Sequence, residues 1–281
     1  MKNKDIFTFR DAEKQAGPVA FSTMLKPAGS ACNLDCHYCY YLDKAVQYGG
    51  KQAVMSDELL ELYVRQYIEA NDVDTVQFCW HGGEPLLLGV DFYRRAMDFQ
   101  QKYADGKRIE NTLQTNGTLV DEAWCDLFAG NNFLVGISLD GPQDIHDAFR
   151  LTKGGRPTFE RVMQTIGMFQ RSGVEYNTLS VVNRLCEGRG GEIYRFFRDT
   201  VHSRYMQFLP AVEHVVDKPG FHRPLIVSPE REGARLAEWS VTAEGYGQFL
   251  CDLFDEWVVS DVGRCYVQLF DATLAQWCGV Q

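Results

Sequence analysis

Apolar residues recur along the chain in two alternating rhythms. Val19 to Leu25, Thr75 to Trp80, Asn111 to Thr115, Leu134 to Leu139, Val174 to Val182 and Tyr205 to Leu209 are short apolar runs bounded by turn residues, and they read as strands. Between them the spacing changes to that of helices. Ser56 caps one, with Leu59, Leu60, Tyr63, Val64 and Tyr67 spaced for a buried face. Asp91 to Tyr103 and Asp121 to Phe128 read as two more. Thr158 to Arg171 places Phe159, Val162, Met163, Ile166 and Phe169 on one side, and Glu192 to Thr200 follows as a further helix.

The pattern is β/α repeated about six times, and each crossover is long enough to bring the next strand back parallel to the last. This predicts an α/β chain folded as a partial (β/α)6 barrel, open because six units fall short of the usual eight. The expected organisation is an N-terminal extension over 1–18, the partial barrel over 19–225, and an insertion with C-terminal helices over 226–281. Val212 to Thr242, rich in Pro, His, Arg and Glu, reads as an irregular loop; Glu244 to Ser260 and Tyr266 to Trp277 read as helices outside the repeat.

The chain has 281 residues, 45% hydrophobic and 23% charged, with a formal charge of −10. That is ample for one large core. The acidic balance gives no general attraction to nucleic acid or anionic lipid, so neither is expected as a partner. No apolar run is long enough to span a membrane and the N-terminus lacks a signal-peptide core, which predicts a cytoplasmic protein. In that reducing setting, clustered cysteines are read as metal ligands before disulfides.

Cys32, Cys36 and Cys39 follow the first strand as C-x3-C-x2-C. Three thiolates at this spacing can wrap one face of a cubane iron–sulfur cluster and leave its fourth iron open. The competing reading is a zinc site completed by His37. It is disfavoured because zinc motifs come as separated Cys or Cys/His pairs, and His37 lies directly beside Cys36. The remaining polar motifs fall at or just after strand ends: Trp80 to Pro85 (WHGGEP), Gln114 to Gly117 (QTNG) and Ser138 to Pro142 (SLDGP), with Arg150 shortly after. In α/β barrels, chemistry collects at these C-terminal strand ends. Cys79, Cys125, Cys186, Cys251, Cys265 and Cys278 read as small buried hydrophobes.

The cysteine motif, with an aromatic residue (Tyr38) before its third cysteine, resembles the signature of the radical S-adenosylmethionine (SAM) superfamily. The strings around it, with FCWHGGEPL, LQTNGTL, FLVGISLDGP and FDEWV, resemble anaerobic sulfatase-maturating enzymes over nearly the whole chain. The resemblance implies a [4Fe–4S] cluster on Cys32, Cys36 and Cys39. It implies SAM contacts from Tyr38, Gly82, Gly83, Glu84, Asn116, Ser138, Arg150, Asn177 and Val212, and substrate contacts from Tyr41 and Gln114. The implied reaction is oxidation of a Cys or Ser in an unfolded or nascent sulfatase to Cα-formylglycine. Electrons would come from a donor such as flavodoxin or ferredoxin.

Family members continue into a cysteine-rich C-terminal region carrying two auxiliary [4Fe–4S] clusters and the general base. Neither is expected within these 281 residues, so this chain is expected to cleave SAM without completing substrate oxidation, and no catalytic residue is assigned in it. Another peptide-modifying radical SAM enzyme is the alternative, although about 18 residues before the first strand are too few for the peptide-recognition domain many of those carry. A zinc-stabilised binding module and an inert scaffold fragment are the remaining readings.

Overall fold

Six strands in chain order, β1 (Met24–Leu25), β2 (Thr75–Trp80), β3 (Arg108–Thr115), β4 (Phe133–Ser138), β5 (Glu175–Val182) and β6 (Tyr205–Pro210), pair in parallel, each with the next. The computed structural model describes residue 10, residues 20–41, residue 44, residues 54–217 and residues 224–280. The extension expected over 1–18 lies, apart from Arg10, outside the described residues, as does Val19. The first strand is correspondingly shorter than the apolar run that predicted it.

Five helices connect the strands: α1 (Asp57–Ala70), α2 (Val90–Tyr103), α3 (Glu122–Gly130), α4 (Gln143–Phe149) and α5 (Phe159–Ser172). A sixth, α6 (Gly190–Arg195), runs on into a single π-type stretch at Phe196–Thr200. Ser56 caps α1 as its sequence predicts, accepting from Leu59 N at 3.3 Å. The buried stripe is Leu60, Val64, Tyr67 and Ile68; Leu59, expected on that face, is half exposed. The stripe packs on β2, where Phe78 and Trp80 are fully buried and Tyr67 meets Phe78 edge-on at 5.0 Å. Each such aromatic contributes about 1.5–3 kcal/mol through burial.

Two expectations change. Tyr266–Trp277 is not one helix: Tyr266–Val267 forms β10, which adds to β6 as a seventh parallel strand, and α8 (Gln268–Trp277) begins after it. The segment read as an irregular loop contains a small antiparallel sheet, β7 (His214–Val216) between β8 (Leu225–Val227) and β9 (Arg235–Leu236). Strands of two or three residues are too short to display an alternation. The boundary expected at 225 falls inside this sheet. Val215 of β7, with Ala237 and Trp239 just after β9, packs with Leu34, Cys36 and Tyr38, so the segment backs the cysteine loop. α7 (Ala243–Ser260) follows, capped by Thr242.

Candidate active site

The cysteine loop is held from two sides. On one side the strand end after β2 reaches it through backbone bonds: His81 N–H to Leu25 O (2.8 Å), Gly83 N–H to Gly29 O (3.0 Å) and Glu84 N–H to Ala31 O (2.7 Å). This approach requires glycine. A Cβ on Gly83 would stand 2.2 Å from Ala31 O, and Gly82 sits at φ +133° with Gly29 O 2.9 Å from where a Cβ would be. On the other side the chain leaving α4 pairs with the loop. Asp35 N–H donates to Leu151 O (2.8 Å) and His37 N–H to Phe149 O (3.2 Å), which brings Arg150 beside Cys36.

These contacts gather the motifs around one cavity of about 310 Å³ at the C-terminal end of the sheet. Cys32, Cys36 and Cys39 line it together, with Tyr38, Tyr41, Gly82, Gly83, Gln114, Asn116, Ser138 and Arg150. Three residues expected at the site do not line it. Glu84 is fully buried behind the strand ends, its oxygens taken by Leu86 N (3.0 Å), Thr115 Oγ1 (2.8 Å) and Asn116 N (2.8 Å). Asn177 pairs with Gly136, two residues before the end of β4, and its Oδ1 lies on the same face of Gly136 as the Gln114 side chain. Val212 is 55% exposed and is not among the residues lining the cavity.

Charge in the site is organised around a buried pair. Arg150 Nη2 lies 3.0 Å from Asp140 Oδ1, and both side chains are almost wholly shielded from solvent. Tyr38 Oη donates to Asp140 Oδ2, and Val181 N–H donates to Asp140 Oδ1 at 3.0 Å. The guanidinium also lies over the Tyr38 ring at 5.5 Å, and its Nε–H has no hydrogen-bond partner among the described residues. His146 supports the pair from behind. Thr158 Oγ1 donates to Arg150 O at 2.6 Å, so it accepts from His146 Nε2 at 3.0 Å; His146 Nδ1 then accepts from Asp140 N–H at 3.4 Å. The imidazole is therefore neutral and protonated on Nε2, and burial depresses its pKa to about 4.

At the cavity mouth His81 Nδ1 accepts from Gly82 N–H at 2.7 Å, which leaves the hydrogen on Nε2. Its ring lies 6.2 Å from that of Tyr41, over which Lys26 Nζ sits at 5.1 Å. The Tyr41 hydroxyl is buried without a hydrogen-bond partner among the described residues. Sequence reasoning missed Asp140, His146 and Glu213. Asp140 was visible within SLDGP, but its value comes from Arg150 folding back on it. Glu213 reaches the cavity from the segment read as loop, and burial raises its pKa.

The residues fit an iron–sulfur cluster better than a single ion. Among the described residues no three His, Cys, Asp or Glu side chains are gathered closely enough to hold one metal ion. Yet three thiols face one cavity, as a cubane several ångströms across requires. Burial raises the Cys32 thiol to about 11 and the Cys36 thiol to about 12, so loading of iron must drive off their protons. The orphaned Arg150 Nε–H supplies a donor for a carboxylate-bearing ligand, and Gly82 and Gly83, whose N–H groups are already engaged, line the same cavity.

A family model described as the radical SAM superfamily matches residues 27–186. A serine-type anaerobic sulfatase-maturating enzyme of Bacteroides thetaiotaomicron is 47% identical over 92% of this chain and 62% of its own length. A cysteine-type enzyme of Clostridium perfringens (strain 13 / Type A) is 34% identical over 90% of this chain and 65% of its own. Among solved structures, native anSMEcpe with bound AdoMet and Cp18Cys peptide superposes with a TM-score of 0.77 at 32% identity, covering 90% of this chain and 65% of that one. The chain thus spans a little under two thirds of the length of these relatives. Among the described residues no helix is long and apolar enough to cross a membrane. The family match covers the cysteine loop, the glycine clamp and the Asp140–Arg150 pair alike, and the chain belongs to the radical SAM superfamily.

Proposed function

We propose that Cys32, Cys36 and Cys39 bind a [4Fe–4S] cluster, that SAM binds beside it in the same cavity, and that the chain supplies the SAM-cleaving part of anaerobic sulfatase maturation, the oxidation of a Cys or Ser to Cα-formylglycine. The observation that carries this reading is the convergence of the three thiols, the Gly82–Gly83 backbone and Arg150 on one cavity. The 47% identity to a serine-type maturating enzyme points to the substrate class.

Together the cluster and SAM supply a 5′-deoxyadenosyl radical able to take a hydrogen atom from carbon. The protein's own residues bind, orient and shield. Gly82 and Gly83, whose N–H groups are engaged within the protein, present backbone C=O groups to the amino group of SAM. Arg150, held in place by Asp140, directs its remaining donors at the carboxylate. Ser138 Oγ, fixed by Gln114 Nε2 at 3.2 Å, faces the same ligand. Leu179, Val181, Leu209 and Ala211 form an apolar wall that excludes water from a reactive intermediate. Tyr41 and Gln114 meet the sulfatase peptide near the mouth, where His81 offers its Nε2–H. The electron enters from a small carrier such as flavodoxin or ferredoxin.

The test is anaerobic reconstitution with iron and sulfide, reduction, addition of SAM, and assay of 5′-deoxyadenosine. Production that vanishes in Cys36→Ala is the expected result; a chain that takes up zinc and no cluster would overturn the reading. Adding sulfatase-derived peptides with Ser or Cys at the target position, and seeking formylglycine by mass spectrometry, tests the substrate separately.

A further inference from the structure

Asn116, at the end of β3, has every polar atom of its side chain engaged. Its Oδ1 accepts from Thr118 N–H at 2.9 Å and from Thr118 Oγ1 at 2.7 Å. Its Nδ2 donates to Asn33 Oδ1 at 2.9 Å and to Cys32 Sγ at 3.7 Å. A carboxamide has two N–H donors and one oxygen with two lone pairs, so nothing is left for a small-molecule ligand. The set is closed and braced. Asn33 Nδ2 donates to Thr118 Oγ1 at 2.8 Å, and the Asn116 backbone N–H is fixed on Glu84 Oε2 at 2.8 Å. Cys32 Sγ takes a second donor, the backbone N–H of Leu34, at 3.4 Å.

From this network we infer that Asn116 is a positioning residue for the iron–sulfur cluster, whose amide N–H holds the Cys32 sulfur and raises the cluster's reduction potential. This differs from the direct SAM contact that the resemblance implied, and it rests on the reading of Cys32 as a cluster ligand. The physical reason is electrostatic. A donor pointed at a thiolate stabilises negative charge there, and the reduced cluster carries one electron more than the oxidised one. The hydrogen bond is therefore stronger after reduction, and its loss makes the cluster harder to reduce. Thr118 and Asn33 act one step further out, by fixing which way the Asn116 amide faces. Such orientation matters because a rotated amide would present its oxygen, an acceptor, to an anionic sulfur.

The experiment is an anaerobic potentiometric titration of the reconstituted chain, followed by EPR of the reduced cluster, with iron content and SAM affinity measured alongside. Asn116→Ala is expected to bind wild-type iron, to keep wild-type SAM affinity and to show a tenfold poorer reduction equilibrium, which for one electron is about 59 mV more negative. Thr118→Val keeps the donor but loses the Oγ1 bonds, and is expected to shift the midpoint in the same direction by less. A wild-type midpoint in Asn116→Ala overturns the inference, whether or not SAM binding weakens. Should that variant take up no iron, the midpoint of Thr118→Val decides: unchanged overturns, more negative supports. A wild-type chain without any cluster signal refutes the cluster reading itself, which is a separate failure.

Discussion

Two buried carboxylates follow strands of the same sheet that flank β3, and they are stabilised in opposite ways. Glu84, after β2, ties that strand end to β3 through neutral donors only: Leu86 N–H, Thr115 Oγ1 and Asn116 N–H. Asp140, after β4, ties its end to β5 through Val181 N–H, but it also carries the Arg150 guanidinium and the Tyr38 hydroxyl. Both are wholly inaccessible to solvent. At Glu84 burial outweighs the donors and lifts the carboxyl to about 7. At Asp140 the adjacent guanidinium offsets the charge directly. The first is a strut between strands. The second is a clasp that keeps a cation in the cavity, with donors left over for a ligand.

Removing the clasp has the largest effect. Asp140→Ala leaves Arg150 buried without its counter-charge, and the cost is about 3–5 kcal/mol of folding stability. Urea denaturation reads this directly, and pairing the change with Arg150→Leu is expected to restore part of the loss. If Asp140→Ala unfolds at the wild-type midpoint, the clasp is not a charge pair of consequence. On the strut side, Gly83→Ala forces a methyl against the carbonyls of Ala31 and Ser30. Overpacking of this kind costs about 1–3 kcal/mol. The displaced cysteine loop is also expected to bind less iron on reconstitution, and normal iron uptake would show that the loop tolerates the wedge. Glu84→Gln turns one acceptor into a donor facing donors, for about 1–3 kcal/mol. A loss matching that of Asp140→Ala would erase the distinction between strut and clasp.

Much of this arrangement was legible before any coordinates. The helical stripe of Leu60, Val64 and Tyr67 identified α1, and the spacing of Cys32, Cys36 and Cys39 identified the site. The placing of GGE, QTNG and SLDGP after apolar runs put them on one edge of the sheet. What was not legible has physical reasons. β10 is two residues long, and β7 to β9 are two or three residues each, so no alternation exists to be read. α4 has only seven residues, with Ile145 as its one aliphatic residue larger than alanine, too little to display a helical stripe. Glu84 looked like a ligand contact because it follows two glycines that line the cavity, yet its own side chain is buried among strand-end donors. His146 gave no signal at all: a single histidine in a helix becomes legible only when Thr158 and Asp140 fold onto its two nitrogens.

That histidine supplies the finest test, because His146 and Glu84 titrate with opposite sign. His146 is held neutral, with its pKa lowered from 6.5 to about 4 by burial. The unfolded chain takes up a proton first as pH falls, so its contribution to stability drains away between about 6.5 and 4. Glu84 has its pKa raised from 4.5 to about 7. Its contribution is complete below 4.5 and is lost as pH rises toward 7. Each group has a limiting slope of about 1.4 kcal/mol per pH unit, and across the shared acid window the two oppose each other. Wild-type stability is therefore expected to be flatter there than either group alone would allow. His146→Gln keeps an acceptor and a donor but cannot titrate, so its stability should decline with rising pH through that window. Glu84→Gln should decline with falling pH instead. Curves for both variants that run parallel to wild type would show that neither group changes its protonation on folding, and the electrostatic contrast between strut and clasp would then rest on Arg150 alone.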